Sequence, residues 1–263
     1  MNMAKHYDGY FIDLDGTVYA GKKRIPAAKR FIERLQATQT KFMFVTNNTT
    51  KLPADVVHNL AENHDIHVDE SHVYTAGLAS ADYVAGIAKP EQNRAYLIGE
   101  TGLMQAFIDQ GFRLTEQDPD FVVIGLDHDV TYHKLATATL AVRNGAKFIG
   151  TNPDSNIPSE QGMLPSAGAL NELVAYATQQ RPQYIGKPGS IIMEKALERM
   201  GLSKAQVLMV GDNYQTDIRA GLDFDMDTLL VYSGLSTKQQ VAAEERQPTY
   251  QIDSLDDWSL DEH

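Results

Sequence analysis

The sequence predicts an α/β fold, a parallel sheet wrapped by helices, and three observations carry the prediction. Short apolar runs rich in Val, Ile, Phe and Tyr alternate along the chain with longer stretches of helical period. Several runs stop abruptly at polar or acidic residues, as buried strands do at the rim of a sheet. The chain has 263 residues, 43% of them hydrophobic and 22% charged, enough for one large domain or two modest ones with real cores.

The first run is Tyr10-Phe11-Ile12, and the second, Phe42-Met43-Phe44-Val45, ends at Thr46-Asn47-Asn48. Helices are expected at Pro26 to Thr38 and Pro53 to Asn63. Further strands are expected at Ala95 to Ile98, Phe121 to Ile124, Lys147 to Ile149, Val207 to Val210 and Thr228 to Tyr232. Helical stretches lie between them at Gly102 to Gln110, Tyr132 to Asn144, Ala167 to Thr178, Ser190 to Met200 and Tyr214 to Ala220. No fixed-period repeat or low-complexity tract interrupts the pattern. The last stretch, Ser254 to His263, reads as an acidic, exposed finish.

Charge and composition exclude several functions. Acidic residues outnumber basic ones 35 to 23, for a formal net charge of -12, and no Lys/Arg block is present, so nucleic acid is not an expected partner. The same charge repels small anions at long range, so a phosphate site here needs a local positive field from metal, lysine and backbone N–H groups. With no cysteine, disulfides, thiolate nucleophiles and sulfur-ligated zinc are absent, and oxygen donors suit a hard cation. No apolar signal or membrane-spanning run is seen, which points to a cytoplasmic protein without a membrane partner. The eight histidines, His6, His128 and His133 among them, show no metal-ligand spacing and read as structural or exposed.

Chemistry is expected where strands end, because open α/β sheets bind ligands at the carboxyl ends of their strands. Asp13-Leu14-Asp15-Gly16-Thr17 sets two carboxylates on one side of an extended segment, a costly arrangement without a cation. Thr46-Asn47-Asn48 offers a hydroxyl and amide donors ahead of a helix, and Lys187, in Tyr184-Ile185-Gly186-Lys187-Pro188-Gly189, offers an ammonium between strand and helix. Val207 to Gly211 leads into Asp212, with Asp217 five residues on. Each segment alone also fits an ordinary turn, helix cap or surface lysine. Their joint occurrence, in this order, favours a site.

That ordered set resembles the haloacid dehalogenase (HAD) superfamily, and more closely its NagD-like, class IIA phosphatases. Those proteins typically show Asp-x-Asp-Gly-Thr, Thr-Asn-Asn, Lys-Pro and Gly-Asp-x-x-x-x-Asp, which stand here at Asp13 to Thr17, Thr46 to Asn48, Lys187-Pro188 and Gly211 to Asp217. The resemblance covers nearly the whole chain. It implies a Rossmann-like core with an α/β cap domain inserted between the second and third motifs, where Thr46 and Lys187 are too far apart for a simple crossover. The expected division is core 1–78, cap 79–183 and core 184–263. Gly125-Leu126-Asp127, Thr131-Tyr132 and Thr151-Asn152-Pro153-Asp154 are similar to cap segments, whereas Pro165 to Ala169 departs from the usual Gly-rich return.

Carried over residue by residue, the resemblance implies a magnesium-dependent phosphatase acting on a small phosphorylated metabolite. Asp13 is then the nucleophile that forms an aspartyl-phosphate, and Asp15 the acid and later the base. Mg²⁺ is held by the side chains of Asp13 and Asp212 and the carbonyl of Asp15, with Asp217 placing water from outside. Thr46, the Asn47 N–H and Lys187 hold phosphate oxygens, and Asn152 and Asp154 of the cap touch the leaving group. A cap also implies gating, opening for substrate and closing against water. Similar proteins form cap-mediated dimers, so a homodimer is one expectation for the assembly. Two alternatives stay open: a phosphotransferase or mutase using the same intermediate, and a non-enzymatic phospho-acceptor module. No Gly-x-x-x-x-Gly-Lys-Ser/Thr segment supports a P-loop kinase.

Overall fold

The structure is a computed structural model that describes residues 5–159 and 161–260. The described residues form two compact units, one within 1–46, 54–74 and 187–263, the other within 47–53 and 75–186.

The first unit is built on a six-stranded sheet ordered Tyr250–Ile252, Asp227–Val231, Val207–Gly211, Gly9–Ile12, Lys41–Thr46, Val73–Thr75. From Tyr250–Ile252 through Lys41–Thr46 every neighbouring pair is parallel. Strands buried on both faces need apolar residues at every position, which is why Gly9–Ile12 and Val207–Gly211 read as continuous runs. Tyr10, Ile12, Phe42, Phe44, Leu208, Val210, Leu229 and Val231 alternate onto one face and meet Phe31, Ile32 and Leu35 of the helix Pro26–Ala37 and Leu60 of the helix Pro53–His64. On the other face Leu230 joins Tyr214, Ile218 and Val241.

The second unit holds a five-stranded parallel sheet ordered Gln183–Tyr184, Lys147–Gly150, Phe121–Ile124, Arg94–Ile98, Arg113–Leu114. Tyr96, Ile98, Val122, Ile124 and Phe148 pack under Ala138, Ala141 and Val142 of the helix Tyr132–Arg143 and Val174 and Ala175 of the helix Ala167–Thr178. Two further helices, Ala76–Ile87 and Thr101–Asp109, pack on each other. Among the described residues, no helix is long and apolar enough to cross a membrane.

Three sequence expectations change here. The strand before Lys187, Gln183–Tyr184, is an edge of the second sheet, so Lys187 does not follow a strand of the sheet that carries Asp13. The unit boundaries fall at 46/47, 53/54, 74/75 and 186/187, against the 78/79 and 183/184 drawn from the sequence, and position 78 lies inside the helix Ala76–Ile87. That helix is dominated by small residues, buries Ala76, Gly77, Ala79, Ser80, Ala81 and Val84, and therefore carries no clear apolar stripe to read.

The third change concerns the end of the chain, where the expectation of an exposed finish is wrong for its described part. Leu255 and Trp258 are buried, Trp258 Nε1 donates to the Tyr10 hydroxyl at 3.2 Å, and Arg34 donates to the carbonyls of Leu255 and Trp258. Polar residues at 254, 256 and 257 masked two apolar anchors spaced three apart on a short turn, and the rest of the acidic stretch, 261–263, lies outside the described residues.

Candidate active site

The strand order of the first sheet reverses beside Gly9–Ile12: the chain passes to Lys41–Thr46 on one side and later returns to Val207–Gly211 on the other. The carboxyl ends of the two strands flanking that reversal deliver Asp13 and Asp212, where the architecture places ligands. Asp13 keeps the sheet register, its N–H donating to the Val210 carbonyl at 2.9 Å. Asp217 arrives from a π-helical turn, Tyr214–Ile218, in which Ile218 N–H reaches back to the Asn213 carbonyl. The sequence expectation of an ordinary helix over 214 to 220 is met only from Arg219 onward.

Carboxylate oxygens of Asp13, Asp212 and Asp217 all lie within 4.8 Å of one another. Lys187, 1% exposed, donates to Asp13 Oδ1 at 2.6 Å, to the Val45 carbonyl at 2.7 Å and to Asp217 Oδ1 at 2.8 Å. An ammonium has three donors, and these acceptors match them. Asp212 Oδ1 accepts from the Thr17 hydroxyl at 3.0 Å and its Oδ2 from the Leu235 N–H at 2.7 Å, while Asp217 Oδ2 accepts from the Asn213 N–H at 3.1 Å.

Two glycines make room for the Asp212 carboxylate. Gly16 has φ of +97° and a Cβ there would stand 2.4 Å from Asp212 Oδ2; at Gly234 a Cβ would stand 2.0 Å from the same atom. Both chain turns approach the carboxylate closer than a side chain permits.

The electrostatics follow from three buried carboxylates sharing one ammonium. Burial, then the Asp217 charge, lifts the Asp13 carboxyl well above the usual range against the pull of Lys187. Asp212 is pushed up to about 6 by burial and Asp217, with the Leu235 N–H and Thr17 hydroxyl opposing. Burial disfavours the Lys187 ammonium, but the Asp13 and Asp217 carboxylates outweigh it and hold the charge. Asp13, Asp212 and Lys187 are thus all raised, the pattern of a site short of positive charge. Hard oxygen donors in that state fit a divalent cation.

Asp15 stands apart from the cluster: it is exposed, and its Oδ1 accepts the Gly21 N–H at 3.1 Å. Thr46, 7% exposed, ends the strand Lys41–Thr46. Asn47 belongs to the second unit, where its carbonyl accepts from Asn152 Nδ2 at 2.9 Å and its own Nδ2 donates to Asp154 Oδ2 at 3.0 Å. Asn152 and Asp154, expected at a leaving group, are therefore engaged in fixing the turn at Asn47. Asp217, expected outside the metal set, lies within the carboxylate cluster.

Sequence reasoning left without roles the Thr17 hydroxyl, the Val45 carbonyl and the Gly234-Leu235 turn. The turn had a signal, since the expected run Thr228 to Tyr232 ends in Ser233-Gly234 as other site-bearing runs end in polar or glycine residues. A main-chain carbonyl such as that of Val45 leaves none.

A family model of haloacid dehalogenase-like hydrolases matches residues 10–113, and a HAD-hydrolase-like model matches residues 184–258. The chain belongs to the haloacid dehalogenase-like hydrolases, in their NagD-like phosphatase branch, and is a phosphoric monoester hydrolase. It is 46% identical over 252 residues to an acid sugar phosphatase of Staphylococcus epidermidis, covering 95% of this chain and 96% of that one. To a 5'-nucleotidase of Bacillus subtilis it is 43% identical over 254 residues, 97% and 98% of the two chains. The solved structure of NagD from E. coli K-12 superposes with a TM-score of 0.91 at 28% identity, over 97% of this chain and 100% of that one.

Proposed function

We propose that this phosphatase hydrolyses a small phosphomonoester through an aspartyl-phosphate on Asp13, with Mg²⁺ as its metal. The observation that carries the reading is Asp13 itself: a buried carboxylate at the switch point of the sheet, grouped with two more carboxylates around a single ammonium. Asp13, Asp212 and the Asp15 carbonyl, with Asp217 adjacent, would hold Mg²⁺, which when bound would supply the positive charge the carboxylate cluster lacks.

An oxygen of Asp13 attacks phosphorus as the bond to the leaving oxygen breaks, and protonated Asp15 gives that oxygen its proton, releasing the alcohol. Asp15, now ionised, takes a proton from a water whose oxygen attacks phosphorus; the bond from Asp13 to phosphorus breaks, and phosphate leaves. Thr46 and the Asn47 N–H bind phosphate oxygens. Lys187 chiefly offsets Asp13 and Asp217 and adds to the positive field, since its three donors already have protein acceptors. Asn152 and Asp154 act on the leaving-group preference through the Asn47 turn they hold.

The names of the relatives favour sugar phosphates or nucleoside monophosphates as substrates. A phosphate-release screen across both classes, with and without Mg²⁺ and with Asp13→Asn as the blank, tests the reading. Release is expected from the wild type with Mg²⁺ alone. A wild type that matches the blank throughout would contradict it.

A further inference from the structure

The Asp15 carboxylate is held by a main-chain group of the next hairpin, so whatever fixes that hairpin fixes the acid. Its Oδ1 accepts from Gly21, at the tip joining Tyr19–Ala20 to Lys23–Arg24, and Gly16 N–H donates to the Tyr19 carbonyl at 2.6 Å. The hairpin pairs only Tyr19 with Arg24 and Ala20 with Lys23, too little to hold its shape alone. It rests instead on the end of the helix Pro53–His64. The Tyr19 ring stacks on the His64 imidazole, centroids 4.5 Å apart and planes 15° off parallel, and Arg24 Nε donates to the Asn63 carbonyl in the last helical turn.

His64 is 4% exposed, and neither ring nitrogen has a hydrogen-bond partner among the described residues. A buried histidine is ordinarily held by its nitrogens. Here the face of the ring makes the contact, and burial together with the Arg24 charge lowers its pKa and keeps the ring neutral. Tyr19 lies near enough to the acids for the charges of Asp15 and Asp13 to add to burial in raising its phenol.

We infer that Tyr19 and His64 are positioning residues whose stack sets the Asp15 carboxyl for proton transfer to the leaving group. The inference rests on the reading of Asp15 as the acid. It is tested in the Mg²⁺-loaded enzyme by single-turnover release of two leaving groups: p-nitrophenolate from p-nitrophenyl phosphate, which departs without a proton, and a sugar alcohol from its phosphate, which needs one.

In His64→Ala the sugar phosphate should slow about tenfold, a part of the ~10²–10⁴ that a general acid contributes, while p-nitrophenyl phosphate changes less than about twofold. His64→Phe, which keeps a flat ring under Tyr19, should restore most of the sugar phosphate rate. Tyr19→Leu, which removes the partly exposed ring and leaves the core intact, should repeat the selective loss. Equal losses on both substrates, or none, in His64→Ala and Tyr19→Leu overturn the inference. Asp15→Asn separates the two claims: a selective loss there with none in the stack variants defeats the positioning pair alone, and no selective loss in Asp15→Asn defeats the reading of Asp15.

Discussion

Replacing Lys187 by methionine removes the cation that the clustered carboxylates share and keeps most of the side-chain volume. At 2.6 and 2.8 Å, and with an effective dielectric constant of ~20, each contact to Asp13 and Asp217 represents about 6 kcal/mol of attraction. Desolvation of the buried groups offsets most of it, and deleting one partner of a buried pair costs about 3–5 kcal/mol because the other charge is left alone. For a chain of this size that is a fall in Tm on the order of 10 °C. The assay is thermal and urea unfolding in EDTA, followed by the single tryptophan, Trp258, which lies in the same unit as Lys187. Excess Mg²⁺ should return part of the loss, and Asp13→Asn in the Lys187→Met background should also return part of it, since both relieve surplus negative charge. A loss under about 1 kcal/mol in EDTA, or strictly additive single variants, would refute the claim that this ammonium balances the cluster.

Four further outcomes follow from the same site and the rest of its unit. Because Asp212 is pushed up to about 6 and Asp13 is raised as well, Mg²⁺ must displace protons from its ligands as pH falls; affinity by calorimetry should drop at least roughly tenfold per unit below 6. The same raised pKa contributes stability to the metal-free protein that is present below the unfolded value near 4 and lost as pH rises through 6, so mild acid should harm the EDTA-treated protein less than the Mg²⁺-loaded one. Gly234→Ala places a Cβ 2.0 Å from Asp212 Oδ2 and should weaken Mg²⁺ by at least about tenfold with the far-ultraviolet circular dichroism spectrum unchanged. Trp258→Ala should cost about 3–5 kcal/mol in urea, where an exposed tail would cost nothing measurable.

How much was legible depended on what each residue uses to make its point. The central strands were readable because burial on two faces demands apolar runs, and Asp13, Thr46 and Asp212 were readable because they end those runs. The helix Ala76–Ile87 was not, since small residues buried around much of its surface give no periodic stripe. Tyr250–Ile252 was too short to stand out from its polar neighbours, and its place at the sheet edge depends on pairing with Asp227–Val231 far earlier in the chain. The grip on Lys187 by the Val45 carbonyl, and the stack of Tyr19 on His64, rest on tertiary geometry that no spacing along the chain records. Asp217 was given its place outside the metal set by the resemblance alone, and the π-helical turn that brings its carboxylate within 4.8 Å of those of Asp13 and Asp212 leaves no mark in the spacing.

The central claim is that Asp13 bonds to phosphorus, and it is tested most directly by trapping that bond. Wild-type enzyme mixed with Mg²⁺ and substrate, quenched in acid within a turnover and reduced with borohydride, is digested and read by mass spectrometry. The account predicts conversion of residue 13 to homoserine in the wild type and none in Asp13→Asn. An unmodified residue 13 during active turnover, or phosphoryl label on a different residue, would contradict it.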